Sequence, residues 1–197
     1  MKFPTIKLPE KLEPFSGVIL FAVILMLSNV FWKYNVLGDE SENINSIVTF
    51  WGLNITPPFT MLAHHVGHVT ESILHLFGSK AVLLPTNSLR HPNGNSVLII
   101  WACTGLKQAY IFFCIIAFYR GSWLKKLWYI PLGLVVVYLF NILRIAIIAA
   151  FIENHPDWFN FLHFYFFKYL FYGIIFLMWV LWEEKIAGKK AKQPAKE

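Results

Sequence analysis

Apolar residues in this chain fall into long runs separated by short polar stretches, and the run lengths set the first expectation. A bilayer-spanning helix needs about 20 predominantly apolar residues. Four segments approach or exceed that length: residues 15–34, 102–119 (Ala102 to Tyr119), 127–151 (Leu127 to Phe151) and 158–182 (Trp158 to Trp182). Lys2, Lys7 and Lys11 precede the first run as in a signal peptide, but no A-x-A-like cleavage site follows, so it reads as an uncleaved anchor. Tryptophan and tyrosine gather near the ends of the fourth run, as in interfacial belts.

The stretches between the runs differ in kind. Residues 35–56 hold Asp39, Glu40 and Glu42 with little periodicity and read as a loop. Residues 57–77 open on Pro57-Pro58 and have helical spacing, with His64, His68, Glu71 and His75 on one face and Leu62, Val66, Val69, Ile73 and Leu76 on another. A helix so divided suits the membrane interface or the rim of a cavity. In residues 80–100, the apolar runs Ala81–Leu84 and Ser96–Ile100 flank a turn-rich middle containing Asn93-Gly94, a hairpin signal. The expected fold is an all-α integral membrane protein: about four transmembrane helices, an outer amphipathic helix and a small outer β-hairpin. Residues 1–14 read as a cytoplasmic N-terminus, 15–184 as one membrane-embedded domain and 185–197 as a basic cytoplasmic tail.

Composition strengthens this picture. Apolar residues make up 57% and charged residues 14%, against about 45–50% and about 25% in soluble domains. That excludes a cytosolic enzyme, a disordered regulator and a disulfide-rich secreted module. The net charge of +6 is better used in orienting the chain than in binding nucleic acid. Eleven of the 17 Lys and Arg residues fall on one side when the chain crosses four times: Lys2, Lys7, Lys11, Arg120, Lys125, Lys126, Lys185, Lys189, Lys190, Lys192 and Lys196. By the positive-inside rule that side is the cytoplasm. The arrangement requires residues 57–77 to stay outside. The expected location is the cytoplasmic (inner) membrane, with the membrane lipid itself as a partner.

Three basic residues are left inside the spans: Lys107, Arg144 and Lys168. An intramembrane charge costs about 2.5–3.5 kcal/mol on insertion scales, so each needs a reason. Arg144 lies about 10 Å below the outer end of its span, at 1.5 Å per residue. It either snorkels outward or pairs with Glu153, or it faces a watery site where its fork of donors holds an anion. Cys103 begins the second run on the same outer side. A helix N-terminus favours thiolate there, and Lys107, one turn on, adds positive charge; the alternative is a small buried hydrophobe. Cys114 is mid-span among apolar residues and reads as packing. The two cysteines are about 16 Å apart along one helix, too far for a disulfide. His163 starts the fourth run, again on the outer side. A thiol, an imidazole and a guanidinium converging from three helices suit acyl transfer, as nucleophile, base and oxyanion holder.

The segments WACTGLKQ (101–108), NILR (141–144) and FLHFYFFKYLFYG (161–173) resemble the three signature regions of the exosortase/archaeosortase family, in its compact branch. The family pattern is Ala-Cys-Ser-Gly followed by Leu or Ile, then Asn-x-x-Arg, then a histidine beginning the last helix. The resemblance covers roughly residues 80–180. It implies a membrane-embedded cysteine protease or transpeptidase that cleaves C-terminal sorting signals of exported proteins through a cysteine thioester, without a metal or other cofactor. Its substrates would be proteins ending in a short motif, a transmembrane helix and a basic cluster. Carried over, Cys103, Arg144 and His163 are the catalytic residues, with Asn141, Thr104, Gly105 and Lys107 as substrate-binding or supporting residues. Three positions depart from the pattern. Trp101 stands where an acid is frequent, Thr104 replaces serine and keeps a hydroxyl, and Phe167 occupies a position where glycine is common. The last makes His155, in the loop before Pro156, a competitor for His163.

Two rival classes stay open. A non-catalytic membrane subunit or anion transporter would use Arg144 and Lys107 to bind solute. A haem or metal protein would use the His64/His68/Glu71/His75 face, although no H-E-x-x-H motif is present.

Overall fold

The structure, a computed structural model, describes residue 13 and residues 15–38 and 48–187. Asp39, Glu40, Glu42, Lys2, Lys7, Lys11, Lys189, Lys190, Lys192 and Lys196 lie outside the described residues, and with them most of both terminal segments.

Among the described residues, three helical stretches are long and apolar enough to cross a membrane: α1 (Ser16–Asn35), α4 (Trp123–Asn154) and the continuous stretch Pro156–Ile186, whose α-helical part is α5 (Phe167–Leu181). The remaining predicted span is shorter, with α3 covering Leu106–Phe118, about 20 Å at 1.5 Å per residue. The expected amphipathic helix is α2 (Thr56–Leu76), started by Pro57-Pro58 and closed by Gly78 at φ +85°, with Ser79 N–H donating back to the Leu74 carbonyl at 3.0 Å. The chain is an all-α membrane protein with small antiparallel sheets.

Those sheets are larger than the sequence led us to expect. The stretch read as a loop at 35–56 contains β1 (Val36–Gly38), β2 (Val48–Phe50) and β3 (Leu53–Asn54), paired in that order. The predicted hairpin is β5 (Ser88–Arg90) with β6 (Ser96–Leu98), and β4 (Val82–Leu83) joins it on the far side of β5. Strands of two or three residues are too short to show an alternation that sequence can reveal.

Aromatic packing holds the helices together. Phe21 of α1 meets Trp179 of α5 at 4.7 Å between ring centroids, and Tyr119 meets Trp179 edge-on at 5.6 Å. Gly133 lets Phe112 lie on the α4 backbone, because a Cβ there would sit 2.0 Å from the ring. Lys126 is counted above as a cytoplasmic loop charge, but its side chain is buried. Its Nζ donates to the carbonyls of Ala117 and Tyr119 at 2.7 and 2.6 Å, satisfying the open C-terminus of α3.

At the other end, the β4–β5–β6 sheet packs on α4. Leu89 and Val97 meet Ile148, Ala149 and Ile152. Asn95 Nδ2 donates to the Ile152 and Glu153 carbonyls at 3.1 and 3.0 Å, and Asn93 also donates to the Glu153 carbonyl. Hairpin side chains thus satisfy the last carbonyls of α4.

Candidate functional site

The segment carrying Cys103 is a 3-10 turn, Trp101–Thr104, that precedes α3. Its shape follows from its residues. Thr104 Oγ1 donates to the Trp101 carbonyl at 2.7 Å and accepts from Leu106 N–H at 3.4 Å, so the hydroxyl closes the turn and opens the helix. Gly105 then takes φ +76°, a left-handed conformation that glycine adopts without strain. It also has no room for a side chain, since a Cβ would stand 2.8 Å from Asn141 Cγ. Trp101 packs against Gly38 of β1, which has no room for a Cβ beside the indole, and lies edge-on to Phe59 at 5.9 Å. The position that the resemblance would give to an acid is thus used for anchoring the turn.

Asn141 of α4 reaches this turn from below. It is fully buried, and its Nδ2 donates to the Cys103 carbonyl at 2.9 Å. Arg144 stands one turn further along the same helix, 7% exposed. Its charge is close enough to interact electrostatically with both Cys103 and His163. No ion pair joins it to a carboxylate among the described residues. The Glu153 pairing is not made; that carboxylate lies 3.5 Å from His91 Nδ1 and accepts from Ser79 Oγ at 3.5 Å. Cys103 is buried with Val66 of α2 and with Ile99, Ile142 and Ile145.

His163 lies in a π-helical turn, Phe161–Phe166, just before α5. It is half-buried, stacked on Phe164 at 4.8 Å and edge-on to Phe159 at 5.1 Å. Such widened turns are frequent at functional sites. Phe167, at the position where glycine is common, is buried against Phe140 at 6.5 Å in the core beneath the sheet. His155 ends α4, exposed, with its backbone N–H on the Phe151 carbonyl. Lys107 is half-buried in the first turn of α3, and Cys114 is buried in the helix core with Ile111 and Phe112.

The histidine face of α2 has a different use from those weighed above. Glu71 Oε1 accepts from Leu83 N–H at 2.7 Å, and His75 Nε2 is 2.6 Å from the Ala81 carbonyl. His68 stands 3.7 Å from Glu71. This face therefore ties α2 to β4. The buried stripe runs through Ala63, Val66, Gly67, Thr70 and Leu74; of the other apolar residues named for this helix, Leu62, Val69 and Ile73 are half-buried and Leu76 is exposed. Small residues draw the helix in: a Cβ on Gly67 would meet Asn87 Oδ1 at 2.8 Å. Asn87 itself is buried at φ +60° and braces the strand leading to Cys103, with Nδ2 on the Ile99 carbonyl at 2.5 Å. The sequence reading missed this brace. It also missed His65, whose Nε2 is 2.8 Å from Tyr138 Oη beside the Cys103 cluster. Neither has a local signal, because each partner is distant in sequence.

The geometry gathers residues of three sequence segments beside the Asn141–Arg144 turn of α4. The sequence model of the transmembrane exosortase family matches residues 44–182. No curated protein matches the chain, and no solved structure does. The match takes in α2, the second sheet, the Cys103 turn and every helix from α3 to α5, more than two thirds of the chain, and by it this multi-pass membrane protein belongs to the transmembrane exosortase family.

Proposed function

We propose that this protein is a cysteine protease or transpeptidase in which Cys103 attacks, His163 moves protons and Arg144 holds negative charge. Membership of the family supplies the coarse activity, a membrane-embedded sorting peptidase or transpeptidase acting on proteins with C-terminal sorting signals. The finer reading rests on one observation: Arg144 is buried, has no carboxylate partner among the described residues, and interacts with both Cys103 and His163. A buried charge left uncompensated is strongly destabilising, so the site is suited to an anion that forms there.

His163 takes the thiol proton and the thiolate attacks the carbonyl carbon of the scissile peptide. The oxyanion of the tetrahedral intermediate is held by the guanidinium. The C–N bond then breaks, and His163 returns the proton to the leaving amine. An acyl group remains on Cys103 as a thioester. An amine, a hydroxyl or water, deprotonated by His163, attacks that thioester and restores the thiol. Asn141 fixes the Cys103 backbone so that the sulfur does not swing away from Arg144. On the charge-derived topology the site faces the extracytoplasmic side of the inner membrane. The substrate's apolar helix then lies in the bilayer and its basic cluster in the cytoplasm.

The test is co-expression with exported proteins of the same genome that end in a short motif, an apolar helix and a basic cluster. A hydroxylamine-sensitive adduct on Cys103, carrying the substrate's N-terminal portion, is expected. Normal cleavage by the Cys103→Ala protein would overturn the cysteine mechanism. Anion binding or transport without any Cys103 adduct would favour the transporter class instead.

A further inference from the structure

The β4–β5–β6 sheet has two edges, and the protein treats them differently. At the β4 edge, Glu71 accepts from Leu83 N–H and His75 meets the Ala81 carbonyl, so α2 covers the backbone groups there. Unprotected edges invite pairing with another chain, and proteins commonly cover them. Among the described residues, no strand or side chain bonds the β6 edge.

The ladder parity shows which groups it presents. Ile99 N–H donates to the Asn87 carbonyl at 3.0 Å, and His91 N–H donates to the Asn95 carbonyl at 2.8 Å. Hydrogen-bonded pairs alternate along an antiparallel ladder. Leu89 with Val97 is therefore the hydrogen-bonded pair between them, while Ser88 with Leu98 and Arg90 with Ser96 are not. The N–H and C=O groups of Ser96 and Leu98 consequently point away from β5. Among the described residues they have no hydrogen-bond partner. Ser96 is exposed and Leu98 half-buried, whereas Val97 and Ile99 between and beyond them are buried. Two residues after Leu98, the Ile100 carbonyl accepts from Cys103 N–H at 2.9 Å. The open edge runs straight into the turn of the candidate nucleophile.

We propose that the β6 edge binds the extended segment of the substrate that precedes its apolar helix, as an added strand beside Ser96 and Leu98. This rests on the proposed function and specifies how the substrate is held. The occupant is an extended polypeptide because the edge offers donors and acceptors two residues apart, the repeat of a strand backbone. It continues directly to Cys103, so a strand seated there delivers its next peptide bond to the thiol. On the charge-derived topology β6 descends toward the membrane. The substrate also descends, from motif to apolar helix, so the added strand is parallel to β6. Main-chain bonds supply affinity and leave motif choice to side-chain contacts.

The experiment uses the full-length protein with Cys103→Ala and Cys114→Ala, and the substrate already identified by its Cys103 thioester. Single cysteines are placed at successive positions in the substrate's pre-helix segment, and at Ser96→Cys, Leu98→Cys or, on the covered edge, Val82→Cys. Disulfide cross-linking is expected for the Ser96 and Leu98 variants, at substrate positions two apart and in the same order along both chains. The Val82 variant should not cross-link. A second measurement uses Leu98→Pro, which removes an outward N–H and leaves the β5 ladder intact. It should lower the rate of thioester formation by roughly 2- to 10-fold, the scale of one hydrogen bond. Retained thermal stability separates that loss from misfolding. Cross-links absent at Ser96 and Leu98, or equally strong at Val82, would overturn the edge proposal while the thioester still stands. If no substrate forms a thioester, the proposed function fails and the edge proposal fails with it.

Discussion

Asn141 Nδ2 donates to the Cys103 carbonyl at 2.9 Å, and the same amide lies 2.8 Å from where a Cβ on Gly105 would stand. The residue that fixes the cysteine turn and the glycine that completes it are therefore interdependent. Asn141→Ala should leave the Cys103 carbonyl without its donor and slow thioester formation roughly 10-fold, in line with one buried hydrogen bond. Gly105→Ala adds left-handed strain of about 1–3 kcal/mol to the clash. Combining the two changes should cost less than the sum of each alone, since the alanine at 141 removes the obstructing amide. Thermal unfolding and single-turnover trapping measure both effects. Simple additivity would show that the two residues act separately.

Substitution of the cysteines should divide them by role. Cys103→Ala should abolish substrate processing with unchanged membrane insertion, because the thiol is the proposed nucleophile. Cys114→Ala, in the helix core with Ile111 and Phe112, should keep activity and lower stability only slightly. Immunoblots of protein level alongside processing assays distinguish the two results.

Arg144→Lys tests whether the charge or the fork of donors matters. Lysine preserves the charge but presents a single compact ammonium. Processing should still fall severely, with the protein folded. Near-normal processing by the lysine variant would assign Arg144 to topology rather than to charge stabilisation.

His163 must be neutral to accept the thiol proton, so activity should fall as pH is lowered and the ring becomes protonated. His163→Ala should reduce turnover by about 10²–10⁴-fold, the usual scale for a positioned acid–base group. The loss should fall on thioester formation, and the acidic limb of the pH profile should disappear from the residual activity. His155→Ala should do much less, since His155 is exposed at the end of α4. The opposite order of severity would move the base to the loop.

Cysteines introduced at Asn93 and Asn154 should react with impermeant reagents in spheroplasts, and one introduced at Ser122 should not. Asn93 is bonded to the C-terminal end of α4, whereas Ser122 begins that helix at its other end. Labelling at Ser122 with silence at Asn93 would invert the topology and place the site in the cytoplasm.

The sequence by itself determined the membrane class, the approximate limits of the helices and the three segments that carry the candidate chemistry. Apolar run length, positive-charge bias and short motifs are local properties, readable wherever a bilayer imposes them. Hairpin residues at Asn93-Gly94 and the double proline opening α2 were legible for the same reason. Only the tertiary structure decided which face of α2 is buried, because Gly67 can approach Asn87 closely while the bulkier Leu76 remains exposed. It alone showed that Glu71 and His75 cover a sheet edge, that Lys126 caps α3, and that Glu153 is paired with His91 and not with Arg144. These depend on partners separated by up to 62 positions along the chain, and no local spacing encodes such a pairing. The β1–β2–β3 sheet and the 3-10 turn that holds Cys103 ahead of its helix were hidden for a related reason. Their few residues are shaped by what packs against them, Trp101 against Gly38 and Gly105 against Asn141, rather than by a periodicity of their own.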